Sequence, residues 1–479
     1  MAGLKRYQRY AEELTELIRS GEMVPGTRLP SVREASRSRR ISPATVFEAF
    51  YLLQARGLIE SRPRSGFFVR SAPKAAPVRA TTAAPRSRAV AVSDLVFEVL
   101  EATRRPGIAP LGSAFPGVEL FPLQQLARAL ATGMRQLEPA RIVEDLPPGN
   151  EKLRRQIALR YVLSGTRVAP EEIVITNGAM EALTLSLQAV TQPGDAVVVE
   201  SPCFYAALQA LERLRLKVVE IPCDSRQGLD LAALRTALNR QDVKACWLMP
   251  SFQNPTGANM PEAKRRELLK LLEAHDVPLV EDDVYAELYY GAHPPRPAKA
   301  FDTRGLVMHC SSFSKCLAPG YRVGWVAAGR YAQAITRAKV MTTLSTAVPS
   351  QQALAVYLAH GGYERHLRKL RRTLARQHEI AARMAARYFP AGTQLSSPEG
   401  GYFLWVEFPA GVDTLQMHRD ALERGINIAP GQIFSATRAF GNCLRLNFGH
   451  PRDARFEPAL RVIGELAAAS LRAGRQPKD

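Results

Sequence analysis

From about residue 110 onward, short apolar runs alternate with amphipathic stretches, and that alternation leaves few folds open. The runs are "EEIVITN", "DAVVVES", "KVVEIP", "ACWLMPS", "PLVEDD", "LVMHCSS" and "YRVGWVAAG". Strand-like segments separated by helical ones build an α/β domain around a largely parallel sheet. Ligands of such sheets gather beyond the carboxyl ends of the strands. The residues that follow each apolar run are therefore the ones to read. At 479 residues the chain is too long for one ordinary core, so two or three domains are expected.

The strand ends carry chemistry. "ITNGAMEAL" turns through Asn-Gly-Ala into a helix, and Gly178 and Ala179 there offer backbone N–H groups and a favourable dipole to a phosphate. "VESPCFYAAL" sets Phe204 and Tyr205 where a ring could stack on a flat ligand, although core packing explains either one singly. "PSFQNPTG" delivers Asn254 in a turn, and "LVEDDVYAEL" places Glu281, Asp282 and Asp283 after an apolar run, with Tyr285 close behind. An acid in such a place requires a cationic partner. "HCSSFSKCLAPGYRVGW" then collects Ser312, Ser314, Lys315 and Arg322 just past another buried strand. Ser312, Ser314 and Arg322 suit a phosphate, Asp282 a protonated ring nitrogen, and Asn254 and Tyr285 a phenolic oxygen. A desolvated Lys315 suits condensation with an aldehyde. Any one of these residues has an ordinary structural reading; together, in this order, they describe pyridoxal 5'-phosphate (PLP).

The first 70 residues are different. Leu4, Tyr7, Tyr10, Leu14, Leu17 and Ile18 recur at helical spacing up to Gly21. Ser31-Val32-Arg33-Glu34 is a capping box that opens a second helix. Ser42 and Pro43 are an N-cap and first-turn proline for a third, whose apolar face is Val46, Ala49, Phe50 and Leu53. "LIESRPRSGFFV" reads as two strands around a basic turn. Three helices and a hairpin make a winged helix-turn-helix, an α+β unit whose third helix would face the major groove of double-stranded DNA. Residues 1–92 hold 17 Lys/Arg against 7 Asp/Glu, a net +10 of the chain's +19, so net charge per residue is several-fold higher here than elsewhere. That charge suits a polyanion, and it also suits a solubilising surface. Ser42 and Thr45 can reach phosphates or base edges, and Arg33, Arg37, Arg39, Arg40 and Arg64 supply charge. Residues 71–90, "SAPKAAPVRATTAAPRSRAV", contain seven Ala, three Pro, four basic residues and no acid, which reads as a flexible, partly extended tether.

The six cysteines show no C-x-x-C spacing and sit mostly in apolar runs, as thiols in a reducing cytosol do. Residues 1–20 do not resemble a secretory signal, and no apolar run reaches 18 residues. We expect a cytoplasmic bacterial protein, at the nucleoid when bound to DNA, with no membrane partner and no metal.

"PGTRLPSVRE", "ISPATVFEAFYLLQARGLIE" and "SGFFV" resemble the GntR-type winged helix over residues 4–70. The resemblance implies DNA contacts from Arg33, from Ser42 to Thr45 with Pro43 among them, and from the wing glycine Gly66. Many relatives carry arginines where this chain has Pro43 and Phe47. Residues 110–470 resemble the fold-type I, aspartate-aminotransferase-like enzymes, in the subgroup of kynurenine and α-aminoadipate aminotransferases. This implies Lys315 as the aldimine-forming, catalytic lysine and Asp282 on the pyridine nitrogen. It also implies Asn254 and Tyr285 on the ring oxygen, Phe204 stacked on the ring, and Gly178, Ala179, Ser312, Ser314 and Arg322 on the phosphate. Arg445 in "CLRLNFG" looks like the arginine that clamps a substrate α-carboxylate bidentately, with Asn254 beside the substrate. Glu144 stands where many such enzymes have a tyrosine that reaches the neighbouring subunit's phosphate, and an acid there repels.

The order of the parts is that of the MocR family of bacterial regulators. The expected domains are a winged helix over 1–70, a linker over 71–92 and a PLP-binding domain over 93–475, with a smaller C-terminal α/β subdomain from about 350. The resemblance implies a head-to-tail homodimer on paired operator half-sites, sensing an amine or amino acid by external aldimine formation at Lys315. A working aminotransferase with an accessory DNA-binding domain is the alternative.

Overall fold

The computed structural model describes residues 6–19, 22–24, 26–55, 58–62, 65–69, 86–102, 107–140, 142 and 146–473. These fall into two compact units, Met1–Lys74 and Ala75–Asp479. Arg64, Glu144 and residues 71–85 of the expected linker lie outside the described residues.

In the first unit, α1 (Arg6–Arg19), α2 (Val32–Arg39) and α3 (Pro43–Ala55) precede a hairpin of β1 (Ile59–Arg62) and β2 (Gly66–Val69). The capping box closes α2 at its start: the Glu34 N–H donates to Ser31 Oγ at 3.2 Å and the Ser31 N–H to Glu34 Oε2 at 2.8 Å. Arg40 stops the same helix in the left-handed region, φ +53°. The Thr45 N–H donates to Ser42 Oγ at 3.2 Å, which caps α3. One buried cluster of Tyr10, Leu14, Leu29, Ala35, Val46, Phe50, Leu53, Ile59 and Val69 holds the unit together, so the apolar stripes of the three helices meet; Leu4 lies outside the described residues.

The second unit is built on an eight-stranded sheet. Its strands are β4 (Ile173–Thr176), β5 (Ala196–Ser201), β6 (Lys217–Asp224), β7 (Gly228–Leu229), β8 (Val243–Leu248), β9 (Leu279–Asp282), β10 (Val307–Ser312) and β11 (Gly324–Ala327). They lie in the order β4-β11-β10-β9-β8-β5-β6-β7, and only β7 and β11 run against their neighbours. Every residue of β4, β5, β9, β10 and β11 is buried, which is why these strands read as continuous apolar runs. β10 continues to Ser312, two residues beyond the apolar run that announced it.

A smaller antiparallel sheet holds β12 (Gln394–Leu395), β13 (Phe403–Glu407), β15 (Ala429–Pro430) and β16 (Cys443–Asn447). A 27-residue helix, Gly362–Tyr388, leads into it. β3 (Ala109–Pro110) pairs in parallel with β14 (Ile426–Asn427) in a separate two-stranded sheet, which brings the start of the large unit beside the late strands. The segment after β3 is held there too: the Gly112 N–H donates to Asn427 O at 2.8 Å and the Asn447 N–H to Leu111 O at 2.7 Å. Residues 86–92 pack on the large unit, with Arg88 bridging Val218 and Val90 and Val92 buried. All six cysteines are buried thiols. Among the described residues, no helix is long and apolar enough to cross a membrane.

Candidate functional site

The sheet register brings the strand ends together. Asp282 on β9 lies beside Cys310 on β10, Ser312 lies beside Gly324 on β11, and Gly324 beside Thr176 at the end of β4. Gly178 follows β4 at φ +84° and opens the helix Ala179–Gln188. A Cβ on Gly324 would stand 2.5 Å from Gly178 C and 2.7 Å from Ala179 N, so only glycine lets that turn sit against the sheet. A Cβ on Gly178 would meet Arg322 Nη2 at 2.5 Å. The result is a cup: the Ala179 N–H at a helix start, Ser312 and Ser314, and Arg322 beside Gly178, whose own N–H already donates to Thr176 O at 2.9 Å. The Arg322 guanidinium donates to Ser314 Oγ at 3.2 Å, and the Ser314 N–H to Ser312 Oγ at 3.3 Å. N–H groups, hydroxyls and a guanidinium around one concavity form an anion site.

Lys315, half-buried, and Asp282, fully buried, stand beside it. Burial and the nearby Arg445 and Arg322 cations pull the Lys315 ammonium down to about 7, against the opposing pull of Asp282. Burial pushes the Asp282 carboxyl up to about 7. Asp282 Oδ1 is buried with no hydrogen-bond partner, and Asn254 Nδ2 is a buried donor in the same state. Orphaned buried polar atoms are costly and ask for a ligand. Tyr285 is buried against Tyr402 and Phe403, and burial pushes its phenol up.

Arg445 is fully buried on β16. It donates to Asn254 Oδ1 at 2.9 Å and to Gly112 O at 2.7 Å, while its Nε has no partner. Phe403 covers its guanidinium, centroid 4.2 Å away. Among the described residues no carboxylate pairs with it. An uncompensated buried guanidinium is expensive, and a planar carboxylate would satisfy it two atoms at a time.

Sequence reasoning missed several partners. Lys315 Nζ donates to Ala114 O at 2.9 Å and sits 3.8 Å from the Phe115 ring centroid. Tyr402 donates to the same carbonyl at 3.0 Å, and Asn447 Nδ2 donates to Ser113 O and Phe115 O. The segment Gly112–Phe115 therefore crosses the site through its backbone, which leaves no side-chain signature to find. Phe204, expected over a ring, is half-buried at the start of the helix Tyr205–Arg213. Tyr205 beside it is the ring nearer Arg445, centroid 6.0 Å away.

On the N-terminal unit, Arg33, Arg40, Ser42 and Pro43 are exposed, Thr45 is half-buried, and Gly66 is exposed at φ +98°. Arg39 differs: it turns back onto Glu13 at 3.1 Å and onto the Tyr10 ring, so it is already paired within the unit. Arg28, which the sequence reading passed over, lies under the wing, its Nε 3.6 Å from a Cβ position on Gly66. Only its "GTRLPS" context pointed that way.

Two family models match the chain: bacterial regulatory proteins of the gntR family over residues 6–69, and class I and II aminotransferases over residues 124–463. The chain is 48% identical to the HTH-type transcriptional regulator YdcR of Escherichia coli, over 98% of this chain and all of that one. It is similar in structure to the kynurenine aminotransferase of Pyrococcus horikoshii, with TM-score 0.73 and 31% identity, over 79% of this chain and 95% of the other. It is also similar to the α-aminoadipate aminotransferase of Thermus thermophilus solved with N-(5'-phosphopyridoxyl)-L-leucine, with TM-score 0.71 and 30% identity over the same shares.

Proposed function

Because the chain belongs to the class I and II aminotransferase family, in a MocR-type fusion behind a gntR-family domain, we propose that it is a PLP-dependent, DNA-binding transcriptional regulator that senses an amino acid. One observation carries the reading. A lysine with its charge weakened, an orphaned carboxylate oxygen, an orphaned amide and an unpaired buried guanidinium share one site beside an anion cup. The residues fit PLP. When bound, that cofactor supplies an aldehyde that condenses reversibly with primary amines.

The chain's residues divide the remaining work. Gly178, Ala179, Ser312, Ser314 and Arg322 bind the phosphate, and Phe204 lies against the ring. Asp282 holds a proton on the ring nitrogen, and that cation satisfies the oxygen now without a partner. Asn254 and Tyr285 donate to the phenolic oxygen. Burial and the neighbouring cations favour the uncharged Lys315 amine, the form that condenses with an aldehyde. Arg445 receives the effector's carboxylate in exchange for the Gly112 carbonyl it now binds. That exchange releases the Gly112–Phe115 segment from the arginine, and the segment is tied to the small sheet where the Asn447 N–H of β16 donates to Leu111 O. Effector binding so biases the position of the small subdomain, and the winged helices of a head-to-tail homodimer change their fit to paired half-sites. The setting is the bacterial cytoplasm.

A second reading, residual transamination, is favoured by the same weakly basic Lys315, which can move a proton at the effector's α-carbon.

The test is operator binding by the full chain, with and without PLP and a panel of amino acids, in wild type and Lys315→Ala. Basal affinity should be equal in the two proteins, and only the wild type should change affinity with an amino acid. An equal response in the variant would sink the covalent-sensor reading.

A further inference from the structure

α3 presents an unusual surface for a recognition helix. Val46, Ala49, Phe50 and Leu53 face the core, so Ala44, Phe47, Glu48 and Tyr51 form the opposite face. Phe47 is 53% exposed and Tyr51 67% exposed. The helix, "PATVFEAFYLLQA", has no lysine or arginine. Its cations stand to the side, on α2 and its cap: Arg33, Arg37 and Arg40, all exposed. The Phe47 ring is braced edge-on against Phe67 of the wing at 6.3 Å, and Phe67 against the buried Phe50 at 5.1 Å. Phe47 is thus held in place with half its surface in water. Leaving such rings exposed is unfavourable unless a partner covers them.

The flanking arginines name the partner by charge, and the rings name the feature they meet. In the major groove the guanine edge calls for a two-pronged donor, usually arginine, and thymine's methyl calls for an apolar contact. This face has no such donor. It has a methyl, two rings, the Gln54 amide at its far end and one carboxylate, Glu48, which can accept from an exocyclic amine of cytosine or adenine but is repelled by phosphates. Resting on the reading of this unit as a DNA-binding domain, we propose that α3 recognises its site through thymine methyl groups packed on Ala44, Phe47 and Tyr51. Arg33, Arg37 and Arg40 hold the phosphates and are indifferent to sequence. Specificity then sits on side chains that contribute nothing to the salt dependence of binding, and the division can be measured.

Duplexes selected by the full-length protein from a random pool would be re-synthesised with each thymine replaced in turn by deoxyuridine, which removes one methyl and leaves base pairing intact. At one or more thymines in each half-site, affinity should fall about four-fold, the value of one buried methyl-sized group. Tyr51→Ala, at a mostly exposed position, and Phe47→Leu, which keeps an apolar side chain on the wing, should each blunt the difference between thymine and deoxyuridine. Arg33→Ala should weaken both duplexes equally and leave that difference intact. Indifference to every methyl overturns the proposal. So does a change in oligomeric state, rather than in methyl sensitivity, on altering Tyr51, since the rings would then cover a protein surface. If no duplex is enriched, the DNA-binding reading itself fails.

Discussion

Asp282 shows how one side chain can cost stability and serve a site. Its carboxyl ordinarily titrates near 3.8, and burial raises it to about 7. Between those values the folded protein holds a proton that the unfolded chain releases, so stability falls as pH rises through that window and stays reduced above it. Asp282→Asn removes the penalty. Without PLP the variant should be more stable than wild type at pH 8, by up to a few kcal/mol, and the difference should close below about pH 4. Urea unfolding across that range checks it. With PLP the order should reverse, because the asparagine cannot pair with a ring cation. Residues of this kind draw notice in the sequence, since charged groups such as Glu281, Asp282 and Asp283 stand out directly after an apolar strand. The Gly112–Phe115 carbonyls that hold Lys315 and Arg445 were not, since any residue supplies a carbonyl and the pairing spans more than 200 positions.

Among the elements, helix starts and close approaches set both sites. Ser42 caps α3 and stands exposed at its start, the end proposed to meet DNA. Ser42→Ala should cost about 1 kcal/mol of stability in the N-terminal unit. Ser42→Asp keeps the cap and sets an anion against phosphates, so it should retain stability and lose DNA affinity. Denaturant unfolding and DNA titration separate the two effects. In the large unit, Gly324→Ala would drive a Cβ into Gly178 and Ala179. The ~1–3 kcal/mol of such overpacking should lower PLP affinity about ten-fold or more and spare DNA binding. Strands, caps and the wing could be read from apolar periodicity and Ser, Pro and Gly placement. The seating of Gly324 could not, because it depends on β11 lying between β10 and β4, a neighbour relation that sequence order hides. The Arg39–Glu13 pair was hidden for a similar reason: it joins α2 to α1 across positions far apart in the sequence.

For the whole molecule, the α/β and winged-helix units were both evident from the shift in pattern near residue 110 and the basic N-terminus. The tie between β3 and β14 was not, because two-residue strands leave no periodicity. That tie and the Asn447 N–H bond to Leu111 O hold the segment over Lys315 and Arg445 against the late strands, and on the function proposed above a ligand's carboxylate would act through it. The whole reading depends on the PLP aldehyde condensing with Lys315 in a linkage that another amine can displace. The visible absorption spectrum of purified protein given PLP, in wild type and Lys315→Ala, then titrated with amino acids and with the matching decarboxylated amines, tests this. A lysine-bound pyridoxal band in the wild type alone, shifted by amino acids more readily than by amines that lack the carboxylate for Arg445, is the expected result. A wild-type spectrum with no such band, even with PLP in excess, would contradict it.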